Sequence, residues 1–238
     1  MSISKKLEIR ELQLLGRSPF PGRGSDLRRS VTALFKDKAL FHNHNPDGSS
    51  SYSTPQIRYI VDRGTAKLVS LLFGNQELDR LYEYFEDASL TLDVRNRPFM
   101  VEEVVLVSRA AIIGIADHPV QYHSVSPWLG LNSDNSKTFN RLSPARKREL
   151  LSKLFTANAL SLAKNLDFWV QERLVSRVLD FEELPVNSGQ MGMLGIRCTV
   201  ETNFVFDRIL GLGKMVSKGF GRFQKTAESQ NTADHQYA

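Results

Sequence analysis

The chain has 238 residues, which is enough for one large domain or two small ones, each with its own hydrophobic core. Its hydrophobic content of 41% and charged content of 24% are ordinary for a globular protein and exclude disorder throughout. The net charge of +5 favours an anionic partner, and the single cysteine, Cys198, excludes a disulfide framework. No run approaches the roughly 18 apolar residues of a membrane-spanning helix, and no apolar signal segment opens the chain. We therefore expect a soluble cytoplasmic protein with no membrane partner.

The first half of the chain alternates strand-like and helix-like patterns. Apolar and polar residues alternate in the strands, and apolar residues recur at helical spacing between them. The predicted elements are a strand at 7–15, a helix capped by Ser25, strands at 56–62 and 66–73, a helix capped by Asn75, and a strand at 88–94. This β-α-β-β-α-β order is the ferredoxin-like pattern of RNA-recognition modules.

The second half predicts a looser repeat of the same pattern. Its elements are a strand at 102–115, a helix at 145–166, and strands near 174–180 and 193–205. Ser143-Pro144 marks the helix start, because proline is favoured at the first helical position. Asn158 lies on the apolar stripe of this helix, so it should have a buried hydrogen-bond partner or face a ligand. Trp128 and Trp169 are both expected in the core.

We therefore predict an α+β fold of two tandem ferredoxin-like (RRM-like) domains with a C-terminal glycine-rich loop. The N-terminal domain is expected at 1–110 and the C-terminal domain at 111–225. Residues 226–238 are polar and aperiodic and are expected to form a disordered tail.

The glycine-rich loop lies at residues 208–223 and reads RILGLGKMVSKGFGRF. Glycine has no Cβ, so its backbone can approach a ligand closely, and the lysines and arginines among the glycines suit phosphate groups. The spacing matches neither a Walker loop nor a dinucleotide-binding fingerprint, and too little chain follows for a βαβ unit. The pattern favours a nucleic-acid backbone or a nucleotide as ligand.

The segment 211–221, GLGKMVSKGFG, resembles the glycine-rich loop of the RAMP superfamily, specifically its CRISPR repeat-processing endoribonucleases. Three further segments agree with this family in the expected order, and the His-Asn-His element narrows the resemblance to one branch. These segments are LFHNH at 40–44 with Tyr52 and PQIRY at 55–59, SPWLGLN at 126–132, and LFTAN at 154–158 with Asn203-Phe204. The chain departs from the family pattern at Thr54, Arg58, Ile60 and Met215, changes that bear on repeat specificity more than on fold.

This resemblance implies metal-independent cleavage of CRISPR precursor RNA within each repeat, with no cofactor and no metal site. Attack by the ribose 2′-hydroxyl needs a base, an acid for the leaving 5′-oxygen, and positive charge around the phosphorane. Histidine suits both proton roles, since its pKa lies near ~6.5. We assign His44 as the principal acid/base, His42 as its helper and Tyr52 as the positioning group, and which histidine is base and which acid stays open.

The resemblance also implies a set of RNA-binding residues, in which Tyr59 and Phe220 are the candidates for stacking on unpaired bases. The set is Gly211, Gly213, Lys214, Ser217, Lys218, Gly219, Phe220, Gly221, Arg222, Arg58 and Tyr59. The run Arg146-Lys147-Arg148 is either a solvated helix face or a contact to an RNA stem.

The partner implied is CRISPR repeat RNA, bound by a monomer or a homodimer. The alternative function is a non-catalytic RAMP subunit that binds repeat RNA in a CRISPR effector complex. The His-Asn-His and Tyr52 set discriminates the two, because a pure binder would not need it.

Overall fold

A computed structural model of the chain describes residues 3–35, 54–72, 74–86, 90–188 and 191–226. The chain divides into two compact units. The N-terminal unit is Leu7–Ala111 with Ser217–Gly219, and the C-terminal unit is Met1–Lys6, Ile112–Val216 and Phe220–Ala238. In the described part of the chain, no helix has the length and apolar character needed to cross a membrane.

Strands and helices alternate along both halves of the chain. In order they are β1 (Ile3–Leu15), α1 (Gly24–Leu34), β2 (Ile57–Asp62), β3 (Thr65–Leu71), α2 (Gly74–Glu86), β4 (Leu90–Asp93), β5 (Pro98–Val101), β6 (Glu103–Ser124), α3 (Ser133–Phe139), α4 (Pro144–Asn165), β7 (Ser176–Ser188), β8 (Met191–Phe206) and β9 (Phe223–Lys225).

The N-terminal unit is built on the strand order β2-β3-β1-β6. β2 and β3 form a hairpin from Ile57↔Ser70 to Asp62↔Thr65, and β3 pairs antiparallel with β1. Both turn residues of this hairpin, Arg63 and Gly64, have positive φ angles of 50° and 81°. With α1 and α2 as the connections, this arrangement is ferredoxin-like, which confirms the predicted fold class.

The last strand of this sheet is not the one that the sequence predicted. β4 pairs with β5 in a separate two-stranded sheet, from Leu90↔Val101 to Asp93↔Pro98. A tight turn makes this hairpin, because Arg95 and Asn96 have φ angles of 55° and 62° and the Val94 N–H donates to the Arg97 carbonyl at 2.8 Å. β6 therefore lies beside β1, where the last strand of a ferredoxin-like unit, predicted at 88–94, would stand.

One face of α1 and one of α2 pack on the sheet of the N-terminal unit. Leu27 and Val31 of α1 and Leu78 and Phe85 of α2 are fully or almost fully buried in this core, which also holds Tyr59. The predicted N-caps differ slightly from the structure: α1 is capped at Arg23 rather than at Ser25, and α2 already includes Asn75. The apolar periodicity thus located both helices, although not their first residues.

The C-terminal unit repeats the same strand arrangement. β8 pairs antiparallel with β6 and with β7, and β9 pairs with the other edge of β6 from Tyr122↔Lys225 to Ser124↔Phe223. The order β9-β6-β8-β7, with α4 between β6 and β7, is ferredoxin-like again. The glycine-rich loop joins β8 to β9, at the position where the second helix of such a fold would stand.

The long helix α4 organises the core of the C-terminal unit. It begins at Pro144 with Ser143 as its N-cap, as predicted. Asn158 has the partner that the sequence predicted, because its Oδ1 accepts a hydrogen bond of 3.1 Å from Nε1 of the fully buried Trp128. The prediction for Trp169 is wrong, since its side chain is 80% exposed. Asp167 takes a φ of 51° just after the helix ends, and the chain there buries Phe168 instead.

The glycine-rich loop is held by its own backbone within the C-terminal unit. The Leu212 N–H donates to the Gly221 carbonyl at 2.8 Å, and the Gly221 N–H donates to the Pro127 carbonyl at 2.9 Å. Gly221 has a φ of 67°, and a Cβ on it would lie 1.9 Å from the Leu212 oxygen. A Cβ on Gly213 would lie 2.8 Å from Trp128 Nε1, so the loop also packs on the Trp128–Asn158 pair.

Replacing Gly221 by alanine should lower the free energy of unfolding by about 2–4 kcal/mol, because the substitution combines backbone strain with a steric overlap. The measurement is urea unfolding followed by circular dichroism. Gly192→Ala is the matched control, since nothing lies within 4 Å of a Cβ built there, and its effect should stay within about 0.5 kcal/mol. Equal stability of the two variants would contradict the packing described for Gly221.

Replacing Asn158 by leucine should cost about 1–3 kcal/mol, because the buried Trp128 N–H loses its acceptor. The same unfolding measurement checks it, with Asn165→Leu in the last position of α4 as the control. The account of this core is contradicted if Asn158→Leu is as stable as the control.

Candidate nucleic-acid interface

The predicted catalytic residues His42, His44 and Tyr52 lie outside the described residues, and their roles stay predictions. Two other histidines, His118 and His123, are exposed on β6. Within the described ranges, no three His, Cys, Asp or Glu side chains are grouped closely enough to hold a metal ion.

In the C-terminal unit, the glycine-rich loop fixes the backbone of two cationic residues. The Lys214 N–H donates to the Leu129 carbonyl at 3.1 Å, and the Lys214 side chain is exposed. The Arg222 N–H donates to Ser126 Oγ at 2.9 Å, and its carbonyl accepts from the Val125 N–H at 2.9 Å. Phe220 and Arg222 are partly buried. Lys214 is therefore more open to an anion than Arg222.

The three residues Ser217–Gly219 belong to the N-terminal unit, where they lie against α1. Arg28 Nη1 donates to Ser217 Oγ at 3.5 Å. A Cβ on Gly24 would lie 2.5 Å from the Lys218 carbonyl oxygen and 2.3 Å from that of Tyr59. The first turn of α1 and the Lys218 backbone are thus in direct contact, an approach that only glycine at position 24 permits.

Three positive charges interact with one another at this contact. Partial burial of the ammonium, and then the charges of Arg28 and Arg29, lower the pKa of Lys218. Burial and the neighbouring positive charges disfavour the charged form of a lysine, and a bound anion would favour it again. The arrangement is suited to bind a phosphate.

The acidic residue of α1, Asp26, forms its ion pair with Arg95. Asp26 is buried, and its carboxylate accepts hydrogen bonds of 2.7 and 2.9 Å from Arg95 and of 2.9 Å from the Arg23 N–H. Burial opposes the charge of Asp26, but these hydrogen bonds and the charges of Arg95 and Arg29 outweigh it and hold its pKa below the ordinary value. Asp26 serves as the cap of α1 and pairs with Arg95.

Two residues of the predicted RNA-binding set are buried instead. Arg58 is 1% exposed, and Tyr59 is 0% exposed within the core of the N-terminal unit, where burial raises the pKa of its hydroxyl. Tyr59 packs under α1, so its ring offers no face on which a base could stack. We therefore remove both residues from the candidate interface.

Arg28 and Arg29 are the residues that sequence reasoning missed. The apolar periodicity of α1 indicates only that both lie on the side away from the core, and it predicts no role for either. Arg28 donates a hydrogen bond to Ser217, which lies 189 positions away in the chain. Neither periodicity nor motif spacing can predict a contact over that separation. The only signal in the sequence was that two adjacent arginines lie on a helix with one apolar face.

Sequence models of two protein domains match the chain. The Cas6b N-terminal domain matches residues 5–111, and the Cas6b C-terminal domain matches residues 114–226. The uncharacterized protein MJ0978 of Methanocaldococcus jannaschii is 35% identical over 115 residues, which cover 48% of this chain and 78% of that protein.

Two solved structures share the fold over the same extent. A crystal structure of Cas6b has a TM-score of 0.81 at 25% identity, and covers 93% of this chain and 100% of its own. A crystal structure of the CRISPR RNA processing endoribonuclease Cas6b has a TM-score of 0.69 at 22% identity, with the same coverage. Since the two domain matches together span nearly the whole sequence, in the order in which the family has them, the chain belongs to the Cas6b family.

Proposed function

We propose that this protein is an endoribonuclease that processes CRISPR precursor RNA by cutting within the repeats. The observation that carries this proposal is the match of both Cas6b domains, in order, over residues 5–226. A structure with the same two-domain fold is that of a CRISPR RNA processing endoribonuclease. The cation cluster at α1 and the exposed Lys214 support a polyanionic substrate.

The proposed reaction uses no metal ion. The 2′-hydroxyl beside the scissile phosphate attacks the phosphorus, the bond to the 5′-oxygen breaks, and the products carry a 2′,3′-cyclic phosphate and a 5′-hydroxyl. One group must remove the 2′-hydroxyl proton and another must protonate the leaving oxygen. His44 and His42 are proposed for these proton transfers, and Tyr52 for positioning the hydroxyl.

Binding of the repeat RNA is proposed for the residues of the glycine-rich loop. Lys214, Lys218 and Arg222 supply charge, Ser217 supplies a hydroxyl, and Phe220 supplies an aromatic ring. The glycines contribute mainly by allowing the backbone to hold these side chains in place, because Gly213 and Gly221 have protein neighbours where a Cβ would be. Of the two residues predicted to stack on bases, Phe220 remains the candidate, since Tyr59 is buried.

Replacing both His42 and His44 by alanine should reduce the rate of cleavage at least about a thousandfold, because one general acid or base contributes about 10²–10⁴-fold. The dissociation constant for uncleaved RNA should change less than about threefold, since the attraction to phosphates is proposed to come from the lysines and arginines of the loop. The measurements are single-turnover cleavage of radiolabelled repeat RNA and equilibrium binding.

The matched control is the double variant His118→Ala/His123→Ala, which removes two exposed histidines of β6. It should cleave at the wild-type rate. Full activity of the His42/His44 variant would refute the catalytic assignment. Tight binding of RNA by the wild type without any cut would instead identify the non-catalytic RAMP subunit.

A further inference from the structure

The N-terminal unit contains a cluster of cations drawn from two distant parts of the sequence. Arg28 and Arg29 lie on α1, and Ser217 and Lys218 lie on the three-residue segment that packs against it. Arg28 Nη1 reaches Ser217 Oγ at 3.5 Å, and both arginine charges act on the Lys218 ammonium. We refer to these four residues as the α1 cluster.

The α1 cluster is held by rigid surroundings. The opposite face of α1 is anchored in the core by Leu27 and Val31, both 0% exposed. The Lys218 backbone is fixed against the first turn of α1, where a Cβ on Gly24 would lie 2.5 Å from its carbonyl oxygen. Ser217 is itself only 6% exposed. The four side chains therefore start from backbone positions that folding has already determined, which lowers the entropic cost of binding a ligand.

The positive charges of Arg28 and Arg29 disfavour the charged form of Lys218, and a bound anion would offset this repulsion. Partial burial also disfavours that form, because the Lys218 ammonium loses part of its hydration. A phosphate group matches the arrangement well. Guanidinium groups bind phosphate oxygens in pairs, lysine adds a point charge, and a serine hydroxyl donates to a third oxygen.

We propose that Arg28, Arg29, Ser217 and Lys218 together bind a single phosphate of the RNA backbone. The proposal rests on the proposed function, because it takes RNA as the ligand. It adds Arg28 and Arg29 to the interface and assigns one shared phosphate to residues that the sequence had placed in separate elements. Ser217 is included because its Oγ accepts a hydrogen bond from Arg28.

The test measures binding of repeat RNA with 2′-O-methyl groups on every ribose, which blocks cleavage by 2′-hydroxyl attack while keeping all phosphates. The variants are Arg28→Gln, Lys218→Gln and the double variant, each checked for its fold by circular dichroism. Arg80→Gln is the matched control, because Arg80 is a cation of the same unit that is paired with Glu77 on α2. Fluorescence anisotropy at salt concentrations between about 0.1 and 0.4 M gives the affinity and its salt dependence.

Each single variant should weaken binding about tenfold, as expected for loss of a charged hydrogen bond. The double variant should reduce the slope of log affinity against log salt by about 0.7, the value for one phosphate on a single strand. Two independent phosphate sites would reduce it by about 1.4 and would overturn the shared site. Arg80→Gln should leave the slope unchanged.

The proposed function and the α1 cluster fail in distinguishable ways. If the wild type cleaves unmodified repeat RNA but the cluster variants bind like Arg80→Gln, the cluster is not a phosphate site and the enzyme assignment stands. If the wild type neither binds nor cleaves RNA, both proposals are wrong. If it binds without cleaving and the cluster variants show the expected slope, only the catalytic proposal fails.

Discussion

The connection between β8 and β9 depends on two backbone hydrogen bonds of Gly221. Its carbonyl accepts from the Leu212 N–H and its N–H donates to the Pro127 carbonyl, at 2.8 and 2.9 Å. A helix normally stands at this place in a ferredoxin-like fold, and here a closed loop replaces it. Both ends of the loop are fixed within the C-terminal unit. Between them lies Ser217–Gly219, which belongs to the N-terminal unit.

The α1 cluster shows how folding and binding make opposite demands on the same residues. The apolar face of α1 contributes Leu27 and Val31 to the core and stabilises the fold. Its other face places Arg28 and Arg29 beside a partly buried lysine, which costs stability in the free protein. Proteins commonly retain such local costs in stability at functional sites. The hydrogen bonds of the nearby Asp26 carboxylate come from Arg95 and the Arg23 N–H, while the charge of Arg29 also acts on it.

Local patterns were sufficient to predict most of the fold but not the associations between distant segments. Ser143-Pro144 and the apolar stripe located α4, and the polar Asn158 on that stripe predicted a buried partner, which is Trp128. The strand beside β1 could not be predicted, because a turn at Arg95-Asn96 diverts β4 into a separate hairpin and long-range pairing selects β6. The exposure of Trp169 and the burial of Tyr59 likewise depend on tertiary packing. The sequence instead predicted Trp169 in the core and Tyr59 at the RNA interface.

The most direct test of this account is to incubate the purified protein, in EDTA, with RNA that contains a CRISPR repeat from the same genome. The 3′ ends of the fragments are then identified by mass spectrometry. We expect a single cut within each repeat that leaves a 2′,3′-cyclic phosphate, because proton transfer and positive charge suffice for attack by the 2′-hydroxyl. Loss of cleavage in EDTA, or fragments that end in a 3′-hydroxyl, would contradict the account and indicate a metal-dependent nuclease.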